Sequence, residues 1–347
     1  MLRVPDRAGS PGTTHGGGQR MNGRNEEVQW DIGPTTVHGT LVRPQGPGPF
    51  PAVIMVAGSG PTDRDWNSPL LPGPNGSARL IAEALAQAGF ASLRYDKRAS
   101  GPHARENLQH MLGSVSMQAH QDEVQGGVAL LSNRPDIDRD HIFGLGNSEG
   151  TLHLLHYQLD NPPIPLAGLI LTGLPGRSVG AVARSQLAAQ AAMVPNGDAL
   201  LALYDEAIAR YVAGQPANPD PALPAEVKTF IQALEVPINL PFARELWVAD
   251  GASLLSHVNV PTLVIIGKKD IQVDWEEDGE PLAEASQGLH DVTLAFPENA
   301  NHILKYEPQE RQELSAPSVM PRYNAEDTHL DPETMETLIH WLSAHTS

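Results

Sequence analysis

The feature that most constrains this chain is a repeated alternation of short apolar runs with helical stretches. AVIMVAG (52–58), ASLRYD (91–96), HIFGLG (141–146), AGLILTG (167–173), TLVIIG (262–267) and DVTLAF (291–296) are short and nearly continuous in apolar residues. Such runs are typical of strands buried on both faces. Between them lie helical patterns such as SARLIAEALAQAGF (77–90), with Gly89 placed as a C-cap, and the long VSMQAHQDEVQGGVALLSNRP (115–135). PETMETLIHWLSAH (332–345) closes the series. Strands alternating with helices at this spacing predict an α/β fold, a mostly parallel central sheet with helices on both faces. Ahead of them, VQWDI from Val28 and TVHGTLVRP, joined at Gly33-Pro34, read as an antiparallel hairpin.

The rhythm breaks once. Residues 174–261 are 88 residues without a strand signal, made of Ala/Leu-rich helical stretches between Pro, Gly and Asn turns. A compact domain does not hold a structureless loop of that length. The expectation is a helical cap inserted after the sixth strand, over the sheet edge where ligands bind, with Met193–Val194 and Leu200–Leu203 in its core. The domain plan is then a flexible tail at 1–26, a core formed by 27–173 and 262–347, and the cap at 174–261. Met21 is an alternative start within the tail.

Composition removes whole classes of function. The net charge of −18 opposes phosphate backbones and anionic lipid, so no nucleic-acid partner is expected. The absence of cysteine excludes disulfides, thiolate metal sites and a cysteine nucleophile. No apolar run of about 18 residues exists, so no membrane span is expected, and without a targeting signal the assignment is cytoplasmic. Homo-oligomerisation is left open.

The sharpest local signal is Gly146-Asn147-Ser148-Glu149-Gly150, a G-x-S-x-G between a strand and a helix. A nucleophilic serine on such a sharp turn needs flanking glycines so that strand and helix pass close to it. The helix N-terminus then offers free N–H groups to a developing oxyanion. A base and an orienting acid are expected in the order Ser, Asp, His, on loops beyond strand ends. His302 in ENANHILK and Asp270 in LVIIGKKDIQV fit, with Asp274 and Glu298 as rival acids farther from the strand end. The loop Ala57-Gly58-Ser59-Gly60-Pro61 should supply the second oxyanion donor, the Ser59 N–H paired with that of Glu149.

Together VAGSGPTDRD, LRYDKRASG, IFGLGNSEG, LVIIGKKDIQV and ENANHILK resemble the α/β-hydrolase superfamily, most closely its capped serine esterases and serine aminopeptidase S33-like proteins. The resemblance covers about residues 28 to 345. It implies Ser148 as nucleophile, His302 as base, Asp270 as acid, Ser59 and Glu149 as oxyanion donors, and no cofactor. Two departures stand out. Ala57-Gly58 replaces the usual His-Gly, so a side chain that often braces the oxyanion loop is missing, and Arg98-Ala99-Ser100-Gly101 departs from the small-residue pattern of its own loop.

Other features carry less. His153 and His156 sit at i, i+3 on one helix without an evident third ligand, so no metal is assigned. Arg94, Lys97 and Arg98 beside Asp63, Arg64 and Asp65 read as an ion-pair network bracing the oxyanion loop. Trp275-Glu276-Glu277-Asp278 reads as a solvated helix start. The function expected is a serine hydrolase, a carboxylesterase acting on a small-molecule ester with a mostly apolar acyl group. The alternatives are a peptidase or amidase, with Asp205, Glu206 or Glu226 to bind an amine, a thioesterase, and a non-catalytic binding protein on the same fold.

Overall fold

The computed structural model describes residues 23–71, 73–237, 240–325 and 328–346. Met21 and most of the expected tail lie outside them. Its strands are β1 (Arg24–Ile32), β2 (Thr35–Arg43), β3 (Phe50–Val56), β4 (Ala91–Tyr95), β5 (Ile137–Asn147), β6 (Gly168–Thr172), β7 (Thr262–Ile265) and β8 (Val292–Ala295). The helices are α1 (Ser77–Gln87), α2 (Ala104–Met111), α3 (Met117–Ser132), α4 (Glu149–Leu159), α5 (Val179–Ala191), α6 (Gly197–Val212), α7 (Ala225–Leu234), α8 (Phe242–Val248), α9 (Gly251–Leu255), α10 (Gly279–Ala285), α11 (Ala316–Tyr323) and α12 (Pro332–Ala344).

The sheet order is β1-β2-β4-β3-β5-β6-β7-β8. The β1–β2 hairpin turns at Gly33 (φ 57°) and joins β4 antiparallel, and every pair from β4 to β8 is parallel. β1 begins at Arg24, four residues ahead of the Val28 that the alternation marks.

Period-two alternation divides the core. Ala52, Ile54 and Val56 of β3 face one hydrophobic cluster, which also takes Val124 and Val128 of α3 and Leu152 and Leu155 of α4. Val53 and Met55 face the other, with Ile81 and Leu85 of α1 and Leu338 and Leu342 of α12. Burying both faces is what demands continuous apolar strands. Gly89 (φ 93°) ends the α1 segment in the left-handed conformation open to glycine.

Between β6 and β7 run α5 to α9. α6, α7 and α8 share a small core of their own, built on Tyr204, Tyr211, Ile231 and Trp247. Leu255 of α9 and Val258 belong instead to the core of the sheet. One expectation fails in this region. Met193 and Val194 are exposed, in the turn between α5 and α6, while Leu201 and Leu203 pack against the insertion core.

Candidate active site

The strand-to-helix turn after β5 is a crossing of three backbones. Ser148 has φ 54° and ψ −124°, a conformation that side chains rarely adopt, and it stands immediately before α4. Its N–H donates to the Thr172 carbonyl (2.8 Å) at the end of β6. A Cβ on Gly146 would lie 2.6 Å from the Gly150 carbonyl oxygen, and one on Gly150 would lie 2.4 Å from that of Val56. Those neighbours are backbone and cannot step aside, so the two glycines are steric requirements.

Asp270 and His302 meet at the same sheet edge, beyond the ends of β7 and β8. His302 Nδ1 lies 2.8 Å from Asp270 Oδ2, and both side chains are buried. The other carboxylate oxygen, Oδ1, accepts from the backbone N–H groups of Gln272 (2.8 Å) and Val273 (3.0 Å). Gly173 (φ 59°) runs beneath the imidazole, where a Cβ would stand 3.3 Å from its Cε1. Ser148 and His302 line one cavity of about 220 Å³ together with Ser59, Asn147, Gln272 and Tyr323.

The rival acids lie elsewhere. Asp274 binds Arg311 (2.8 Å) and the N–H groups of Glu276 and Glu277. Glu298 is exposed and paired with Lys268 (2.7 Å). Among the described residues, the backbone N–H groups of Ser59 and Glu149 donate to no other protein group. Ser59, Ser148 and Glu149 also line a second cavity of about 510 Å³, walled by Leu152, Val182, Ala183, Phe230, Ala243 and Trp247.

Behind the turn lies a buried charged network. Lys97 Nζ donates to the Gly58 carbonyl (2.6 Å) and to Glu149 Oε1 (3.1 Å), and His153 Nε2 is 3.1 Å from the same oxygen. Burial alone raises the Glu149 carboxyl, but the Lys97 ammonium, with the His153 hydrogen bond, overrides it and holds it well below the ordinary carboxylate range. Burial and the neighbouring His120 ring lower His153 to about 4. Glu123 sits on Arg98 (3.0 Å) and His120 (3.1 Å). Burial raises it, yet these partners take it down to about 2. Farther out, Arg64 pairs with Asp96 and Arg94 with Asp65.

His120, Glu149 and His153 bring three ligand-type atoms within 4.8 Å of one another, a gathering that the His153/His156 spacing does not reveal. His156 takes no part in it. The Lys97 ammonium already neutralises Glu149, and a cation there would face that like charge at contact distance. The chemistry of the set is that of a hydrogen-bonded network.

Asp278 is no solvated helix start: its side chain is 4% exposed and holds Arg177 (3.0 and 3.2 Å), because the connection into the insertion folds down over it. Asn147 has a role its place in the motif does not announce. Its Nδ2 donates to the His302 carbonyl (3.0 Å), coupling the serine turn to the histidine loop.

No family model matches the chain. Esterase EstD of Thermotoga maritima is 27% identical over 281 residues, covering 79% of this chain, which thus spans 59% of that relative's length. Esterase Pf2001 of Pyrococcus furiosus is 17% identical with a TM-score of 0.53, and the match covers 99% of this chain and 97% of that one. Proline iminopeptidase of Mycobacterium smegmatis is 16% identical, also at 0.53, covering 92% and 98%. The likeness to these solved structures is one of fold. No helix among the described residues is long and apolar enough to cross a membrane.

Proposed function

This chain has the α/β-hydrolase fold, and on that premise we propose that it is a serine carboxylesterase. The observation that carries the reading is the joint lining of one cavity by Ser148 and by His302, whose Nδ1 is held by Asp270. His302 is thereby fixed with Nδ1 as donor, leaving Nε2 to act as the base. Ser148 Oγ attacks the ester carbonyl carbon and passes its proton to His302 Nε2. The negative charge on the carbonyl oxygen is met by the N–H groups of Ser59 and Glu149. The tetrahedral adduct collapses, the carbon–oxygen bond to the alcohol breaks, and His302 returns the proton to the departing oxygen. Water then attacks the acyl-Ser148 ester with His302 again as base, releasing the carboxylic acid and the free enzyme. Protein groups and water supply every step, without a cofactor.

The two cavities divide the substrate. The alcohol must leave on the side of the imidazole that protonates it, so it occupies the smaller cavity, whose walls include Asn75, Gln272 and Tyr323. The acyl group takes the larger, mostly apolar cavity under the α5–α8 insertion, which acts as the cap; Asp278, the carboxylate on its wall outside the Glu149 network, is paired with Arg177. This supports an ester with an apolar acyl chain and a small alcohol. A peptidase reading calls for a carboxylate to bind the amine. Asp205 pairs with Arg184 on the surface, Glu206 and Glu226 are exposed, and none of the three lines either cavity.

The test is hydrolysis of p-nitrophenyl esters from acetate to palmitate, with Ser148→Ala alongside. The expected result is turnover that rises through medium chains, falls toward palmitate and is lost in the variant. Activity surviving in Ser148→Ala overturns the mechanism, and inactivity of the wild type on every ester moves the reading to amides or thioesters.

A further inference from the structure

We propose that Lys97 is a positioning residue that aims both oxyanion N–H groups, taking the place of the bracing side chain absent at Ala57. The inference rests on the serine hydrolase reading above and deepens it.

The argument begins with the peptide plane. The Gly58 carbonyl and the Ser59 N–H belong to one rigid trans peptide and point in opposite directions. Lys97 Nζ holds the Gly58 oxygen at 2.6 Å, so it also sets the direction of the Ser59 N–H, away from the ammonium, and Ser59 lines both cavities that Ser148 lines. Gly58 is close enough to the serine for a Cβ on it to lie 3.2 Å from Ser148 Cβ. Hydrogen bonding at the carbonyl further polarises the N–H of the same amide.

The ammonium reaches the second donor as well. Glu149 supplies the other N–H from its backbone, and its carboxylate is bound by the same Nζ at 3.1 Å. One charged atom therefore ties the loop after β3 to the first residue of α4. Lys97 comes from a third segment, the turn after β4, and is 5% exposed along its side chain. Ser59 itself is exposed, on a loop followed by Gly60 (φ 81°), so its own packing does not fix it. A flexible donor loses catalytic value because it must reorganise as charge develops.

The experiment reads the second-order rate at which a fluorophosphonate labels Ser148, since phosphonylation develops charge on the same oxygen position and needs no natural substrate. Lys97→Met, the double variant Lys97→Met/Glu149→Gln and Arg134→Met are compared with wild type. The double variant leaves no buried charge unpaired and serves if the single one does not fold. Arg134 pairs with Glu26 and Asp136, outside the serine site, and controls for loss of an ion pair as such. Labelling should slow by about 10- to 100-fold in both Lys97 variants and stay within threefold of wild type in Arg134→Met. On p-nitrophenyl butyrate kcat should fall with KM unchanged. Folded Lys97 variants that label within threefold of wild type overturn the proposal, as does a change confined to KM. Ser148→Ala distinguishes the two levels: unlabelled, it leaves the serine reading standing whatever Lys97 does, and labelled as wild type it overturns both.

Discussion

Asp270 divides its two oxygens between different tasks: Oδ2 takes the imidazole of His302, while Oδ1 is already claimed by the N–H groups of Gln272 and Val273. That division makes Asp270→Asn informative. The amide oxygen will keep the two backbone donors, so the NH2 is forced toward His302 Nδ1 and stabilises the tautomer that carries its proton on Nε2. That tautomer cannot accept from Ser148. We expect kcat to fall by about 10³- to 10⁴-fold with KM within a few-fold, in steady-state ester hydrolysis. A variant keeping a tenth of wild-type kcat would remove Asp270 from the orienting role.

Ser148 is held at φ 54° and ψ −124° by the crossing of β5, α4 and β3, and strain of this kind costs about 1–3 kcal/mol. Glycine relieves it, less the roughly 0.5–1 kcal/mol that glycine's extra freedom adds to the unfolded chain. Ser148→Gly should therefore be more stable than Ser148→Ala by about 1 kcal/mol, both being inactive. Denaturant midpoints at neutral pH compare the two directly, and an Ala variant equal to or above the Gly variant would contradict strain at the turn.

The network around Glu149 predicts sensitivity to acid. His153 faces Glu149, Lys97 and His120 and protonates at about 4 in the fold against an ordinary 6.5. As pH falls below 6.5 the unfolded chain binds this proton first, so stability declines through the window down to about 4. Glu123 and Glu149, both lowered, lose their contribution by the same sign at still lower pH. Between pH 7 and 5 the histidine accounts for about 2 kcal/mol. His153→Gln keeps a donor for Glu149 and does not titrate, so its unfolding free energy should change about 2 kcal/mol less than wild type over that range.

What was legible in the sequence follows from the range of the forces involved. β4, β6 and β7 are buried on both faces, which writes an apolar run, and the serine turn needs glycine at 146 and 150, which writes a motif; β8 carries such a run too, though as the sheet's edge it is only part-buried. α2 and α11 left little trace, being eight-residue helices, one of them interrupted by Pro321. Long-range polar contacts were hidden for a different reason. Asn147 to the His302 carbonyl, or Asp278 to Arg177, joins segments about a hundred residues or more apart whose local pattern carries no sign of a partner. His120 enters the Glu149 network in the same way, from a helix that the spacing of His153 and His156 does not mention.

On the esterase reading, the cavity of about 510 Å³ implies a chain-length rule. Each methylene moved from water into an apolar pocket contributes about 0.8 kcal/mol, close to fourfold in kcat/KM when the gain is realised in the transition state. The dependence should climb at about that rate and stop where the space of about 510 Å³ under α5–α8 is filled. Ala243 of α8 lines that space, and Ala243→Phe puts a ring into it without touching the Asp270–His302 pair. The break in the series should move to shorter acyl chains, with acetate within threefold of wild type and octanoate reduced by about 10-fold or more through loss of two or three methylene contacts. Measuring kcat/KM for wild type and Ala243→Phe across the same esters decides it. A parallel drop at every chain length would mean that Ala243 acts on the serine, and an unchanged profile would place the acyl chain elsewhere.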